Sequence, residues 1–128
     1  MLENDIATQI VDAAYKTHTS LGPGLLESIY EMVLCRELAK KDLKYDRQIG
    51  VDVYHDGKLI GEGFRADIIV ENKVIIEIKS VEKIIPVHLK QLRTYLRITN
   101  LKLGMLFNFN CELIKDGMHR VVNGLYDG

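Results

Sequence analysis

VIIEIKSV, Val74–Val81, sets a glutamate and a lysine into a run that otherwise reads as a buried strand. Successive strand side chains point to opposite faces, so Glu77 and Lys79 share a face with Ile75, while Val74, Ile76 and Ile78 form the other. One face is apolar and the other carries two charges. Burying an ionised group is costly unless it is paired or bound to a metal. An ion pair on a half-exposed sheet surface is the simple account of this stretch, and a cation site is the sharper one.

The strand before it decides between the two. FRADIIV, Phe64–Val70, is followed by a turn at Glu71, Asn72 and Lys73. If that turn uses three residues, Val70 faces Val74 and Asp67 lands opposite Glu77. Directly facing side chains have Cβ atoms ~5 Å apart, so two carboxylates there repel each other unless something positive lies between them. Mg²⁺ takes oxygen ligands and usually combines one or two carboxylates with waters and phosphate oxygens, which suits this pair. Lys79, on the same face, could hold an attacking water and offset negative charge as it develops. A one-residue slip in register would send Asp67 to the opposite face and abolish the arrangement.

Elsewhere the chain alternates between helical and strand patterns without repeats, low-complexity tracts or linkers. Ile6, Ile10, Ala13, Ala14 and Tyr15 recur at three- and four-residue steps, predicting a helix from about Glu3 to Thr19. Gly22, Pro23 and Gly24 stop it. A second helix is expected from Leu25 to about Lys40, with Leu26, Ile29, Tyr30, Val33, Leu34 and Leu38 inward and Glu27, Tyr30 and Glu31 sharing a face. Alternation at Ile49, Val51 and Val53 then leads to Asp56-Gly57, a pair favoured in type I′ hairpin turns. Pro86 can open a third helix running to about Thr99, on which His88, Gln91 and Tyr95 share a face. LKLGMLFNF reads as a further strand, and the tail from Glu112 to Val122 supplies one or two short ones.

At 128 residues the chain is one domain, 1–128. A net charge of -1 gives no global attraction to phosphate, so contact with nucleic acid would rest on a local basic surface. Cys35 and Cys111 lie far apart with no CxxC partner, and both read as reduced thiols with no zinc site. GPG lacks the preceding strand and the lysine of a P-loop. No apolar run approaches the ~20 residues that cross a bilayer, and the start is acidic where a signal peptide would be basic; a cytoplasmic protein with no membrane contact is expected.

Asp67, nine residues, then Glu77-Ile78-Lys79 resembles the D…ExK signature of the PD-(D/E)xK nuclease superfamily. GLLESIY, Gly24–Tyr30, is a full match to the GxxExxY motif that names one branch of that superfamily, and LGPG precedes it. QLRTYL, Gln91–Leu96, is similar to the QxxxY motif that follows the ExK strand in exonuclease-like branches. One departure is Arg65-Ala66 before Asp67, where the superfamily's name has proline. The resemblance implies an α/β restriction-endonuclease-like core, a central mixed sheet of four or five strands flanked by helices. It further implies a Mg²⁺-dependent nuclease, with Mn²⁺ as a substitute, that hydrolyses phosphodiester bonds in nucleic acid, DNA rather than RNA. On that pattern Asp67, Glu77, Glu27 and the Ile78 carbonyl hold the metal. Lys79 orients water or offsets charge, with Gln91 and Tyr95 in support. Lys90 and Arg93, basic residues of the third helix near the proposed site, are candidates for phosphate contact, and Tyr30 and His88 for contact with substrate. The alternative is a non-catalytic module that binds nucleic acid or protein on the same fold. A homodimer or larger assembly is an expected partner state under either reading.

Overall fold

The computed structural model describes residues 1–125; residues 126–128 of the expected 1–128 domain lie outside the described residues. Two helices, α1 (Glu3–Leu21) and α2 (Glu27–Lys40), precede the strands β1 (Tyr45–His55), β2 (Lys58–Val70) and β3 (Val74–Lys79). Helix α3 (Pro86–Thr99), β4 (Leu103–Asn108), a 3-10 turn at Ile114–Gly117 and β5 (Met118–Val122) follow. The five strands form one sheet in the order β1-β2-β3-β4-β5. Only β3 and β4 run parallel. A parallel pair needs a long crossover, and α3 provides it.

Local chemistry accounts for the turns. Asp56 and Gly57 both take positive φ, 52° and 74°, as a type I′ hairpin requires. Glu71 and Asn72 do the same at 53° and 55°, and Lys73 N–H donates to Val70 O at 2.9 Å. This closes the three-residue turn expected from sequence and fixes the β2–β3 register as Val70–Val74, Ile69–Ile75 and Ile68–Ile76.

Each face of the sheet is covered. Ile6, Ile10 and Ala14 of α1, with Tyr30, Leu34 and Leu38 of α2, bury Val74, Ile76 and Ile78 together with Met105 and Phe107 of β4. Leu92 and Leu96 of α3 pack on the opposite face against Ile75 and Leu106. The helix comes so close that a Cβ on Gly104 would stand 2.8 Å from Leu92 Cδ1. The even-numbered row of β2 is buried from Phe64 to Val70, yet Phe64 and Ala66 belong to the α3 cluster and Ile68 and Val70 to the α1–α2 cluster. The strand passes from one layer to the other at Asp67.

Two expectations need correction. Leu26 and Ile29 do not face inward; they are 76% and 41% exposed. Helix α2 begins at Glu27, and Tyr30 sets its inner face: the ring stacks on Phe109 at 4.7 Å between centroids, and its hydroxyl donates to Gly22 O at 2.6 Å. The alternating segment also starts earlier than the apolar pattern at Ile49 suggests, because Tyr45 to Arg47 already pair with β2. Among the described residues no helix is long and apolar enough to cross a membrane.

Candidate active site

Asp67 and Glu77 meet where the β2–β3 ladder ends. Continuing the observed register by one residue sets Asp67 across from Glu77, and Asp67 Oδ2 accepts the Ile78 N–H at 2.8 Å, a donor the β2 main chain leaves free. Glu77 is 8% exposed. Burial, then the neighbouring Asp67 charge and the contact between the two carboxyls, push Glu77 up from 4.5 to about 9, while Lys79 pulls the other way. Asp67 is raised as well, by burial first and by the Glu31 charge, against the lowering effect of the Ile78 bond. At neutral pH the pair therefore holds a proton. Glu77 Oε1 is buried with no hydrogen-bond partner. An orphaned buried carboxylate oxygen is costly, and it marks a position at which a ligand would find an acceptor already desolvated.

Hard oxygen donors of this kind fit Mg²⁺. The fit is to two carboxylates, however, and among the described residues no group of three or more His, Cys, Asp or Glu gathers closely enough to hold a metal. Glu27 lies at the end of β3: its Oε1 accepts Ser80 N–H at 3.1 Å, while Ser80 Oγ donates to Leu25 O at 2.7 Å. These bonds dock the start of α2 beside the strand end that follows Lys79. A divalent ion would need water or phosphate oxygens to complete its shell.

Tyr95 reaches this site from α3. Its ring stacks on Phe64 at 3.8 Å, and its hydroxyl is raised by burial and then by the charges of Glu77 and Asp67. Gln91 is exposed one turn earlier on the same flank. Lys90 and Arg93 stand elsewhere. They line a groove of about 460 Å³ with Pro86, Leu89 and His119, and Arg93 is about 200° around the helix axis from both Gln91 and Tyr95. His88 Nδ1 accepts Ile85 N–H at 3.2 Å and so caps α3, leaving Nε2 for any other contact. Tyr30 is the site residue that the structure corrects. It is fully buried, and its hydroxyl is occupied by Gly22 O and Leu25 N–H, so no part of it faces a substrate.

Sequence reasoning missed a second polar group behind Asp67. Glu31, buried on α2, accepts two bonds on Oε2 from Arg47 Nε and Nη2, at 3.0 and 2.7 Å. Gln48 Nε2 donates to Glu31 Oε1 at 2.7 Å and to Asp67 Oδ1 at 3.4 Å. Gln48 holds φ at 51°, a conformation that costs a non-glycine residue about 1–2 kcal/mol. The signal for Glu31 is its place one turn after Glu27; Arg47, following Lys40, Lys41 and Lys44, has the sequence pattern of a solvated basic run. Asn108 was also missed. It is buried across from Lys79, and its side chain holds both Val81 N–H and Val81 O, fixing the chain just beyond the lysine.

The chemistry on offer is oxygen-based. Both cysteines are free, and burial pushes the Cys35 thiol up to about 11 and raises Cys111 too, so neither is a ready nucleophile. A protein-family model described as the PD-(D/E)XK nuclease superfamily matches residues 4–121, a span that includes both carboxylates, Lys79, α2 and α3, and all of α1 but its first residue. No curated protein and no solved structure gave a significant match.

Proposed function

The chain belongs to the PD-(D/E)XK nuclease superfamily, and on that premise we propose that it is a metal-dependent nuclease of the GxxExxY branch that hydrolyses phosphodiester bonds in DNA. The observation that carries this reading is the Asp67–Glu77 pair, a half-buried acid and a buried one set together at a ladder end with one oxygen of Glu77 unpartnered. A fold that needed only stability would not keep such a pair, because each charge raises the cost of the other.

Asp67, Glu77 and the Ile78 carbonyl would hold Mg²⁺ or Mn²⁺, with Glu27 assisting from the strand end. The bound ion would neutralise the two carboxylates and draw charge from the scissile phosphate. Lys79 follows Glu77 by two residues on the same face, where its ammonium orients the attacking water and offsets the charge that builds on the phosphoryl oxygens. Water oxygen bonds to phosphorus and gives up one proton to solvent as the bond to the leaving oxygen breaks, and the departing oxygen takes a proton from solvent. Tyr95, kept in place by Phe64, presents its phenol to water or phosphate beside the acids. Gln91 supports it from the same flank. Lys90 and Arg93, around the helix, suit phosphates further along a bound strand.

The test is a Mg²⁺ and Mn²⁺ titration followed by calorimetry, with cleavage of labelled single- and double-stranded DNA in parallel. Wild type should bind the ion and cut, and Asp67→Asn should do neither. Equal behaviour of the two proteins would overturn the assignment, and metal binding without cleavage would favour a binding module on the same fold.

A further inference from the structure

We propose that Gln48 is a positioning residue, which holds the Asp67 carboxylate in place for a cation without neutralising it, and that Glu31 with Arg47 is the anchor that orients Gln48. The proposal rests on the nuclease reading of Asp67 and Glu77. The ladder pairs Arg47–Ile68 and Ile49–Ala66 bracket Gln48 and Asp67, so the two stand opposite each other. One row thus crosses three strands, from Gln48 through Asp67 to Glu77.

Chemistry explains why the residue is glutamine. Glu31 and Asp67 are both acceptors, so the group between them must donate twice. A lysine or arginine there would bring a positive charge that competes with a metal for Asp67. A side-chain amide supplies two N–H bonds and no charge. Glu31 fixes which way the amide points, since a carboxylate accepts only from the nitrogen end, and Arg47 in turn holds Glu31 by two nitrogens. Asp67 is then tethered on both oxygens by neutral donors, Ile78 N–H on Oδ2 and Gln48 Nε2 on Oδ1. The carboxylate is held in orientation while its charge stays available. The backbone supports the same conclusion: Gln48 keeps a φ that L side chains rarely adopt, and Arg65 Nη1 donates to its carbonyl at 2.8 Å. Strain retained in the middle of a strand, beside an acid pair, points to a requirement other than stability.

Gln48→Asn separates the two roles. Asparagine tolerates positive φ better than glutamine, but it is one methylene too short to span both carboxylates. The full chain should stay folded in EDTA and melt near the wild-type temperature, as relief of the backbone strain offsets the bond lost to Glu31 or Asp67, yet bind Mn²⁺ about tenfold or more weakly in calorimetry, in line with the effect of ligand-orienting partners elsewhere. Gln48→Met, which keeps the length and loses the donors, should weaken Mn²⁺ similarly. Excess Mn²⁺ should restore DNA cleavage in both variants and not in Asp67→Asn. Wild-type Mn²⁺ affinity in the folded Gln48 variants overturns the positioning role and leaves the nuclease reading intact. A wild type that takes up no Mn²⁺ overturns the nuclease reading, and the proposal with it.

Discussion

Glu77→Gln should make the metal-free fold more stable at alkaline pH and should abolish metal binding. Glu77 is raised from 4.5 to about 9, by burial first and by Asp67 second. Between those values the folded chain keeps a proton that the unfolded chain has released. The stabilising protonated form is therefore fully present below the lower value, and stability falls as pH rises toward the upper one, by about 1.4 kcal/mol per unit. From pH 6 to pH 8 that amounts to about 3 kcal/mol, or roughly 10 °C in melting temperature for a domain of this size. Glutamine has nearly the same shape, can still donate to Asp67 and has no proton to lose. Thermal melts of both proteins in EDTA at pH 6, 7 and 8 give the comparison, and the difference between them cancels the groups they share. The variant's curve should be flatter by roughly that amount and should cross above wild type at the alkaline end. Parallel curves would refute the raised Glu77, and with it the argument that the acids crowd each other. Retained Mn²⁺ binding in Glu77→Gln would refute its place among the ligands.

Three further outcomes can be checked. Metal binding at pH 7 should release close to one proton, because the ion takes the place of the one the pair holds; calorimetry in buffers of different ionisation enthalpy reads it, and apparent affinity should rise nearly tenfold per unit between pH 6 and 8. Tyr30→Phe should cost about 1–3 kcal/mol in denaturant unfolding, by stranding Gly22 O and Leu25 N–H, and should leave Mn²⁺ affinity unchanged. Gly104→Ala should cost a similar amount, about 1–3 kcal/mol, since Leu92 is fully buried and has no room to swing aside.

The acid pair was legible because β-hairpin register is a local property. Glu71, Asn72 and Lys73 set the turn, and alternation over Ile68–Ile78 then dictates what faces what. Helix α3 was equally plain, opening at Pro86 and ending at Thr99 as its pattern predicts. The inward face of α2 was not. Leu26 and Ile29 fit an apolar stripe as well as Leu34 does, but Leu26 stays extended ahead of the helix, and Ile29 is turned outward because Tyr30, stacked on Phe109 79 positions away, sets the inner face with Leu34 and Leu38. Glu31, Arg47 and Gln48 were hidden for a related reason. Each is an ordinary surface residue in its own segment, and they become a network only when α2 and β1 are brought together. Lys90 and Arg93 show that nearness in sequence to Gln91 is not nearness in space, because at about 100° per residue Arg93 falls on the far side of α3.

The passage of β2 between layers at Asp67 has a mechanical meaning. Interiors packed at the density of organic crystals yield very little, so neither hydrophobic layer can absorb a tilt of one against the other. Such a tilt must be taken up by the strand they share, at the residue where it changes sides. The spacing of Asp67 and Glu77 thus lies where relative movement of the two layers would be felt, and the bonds to Asp67 from Ile78 N–H and Gln48 bear on that same point.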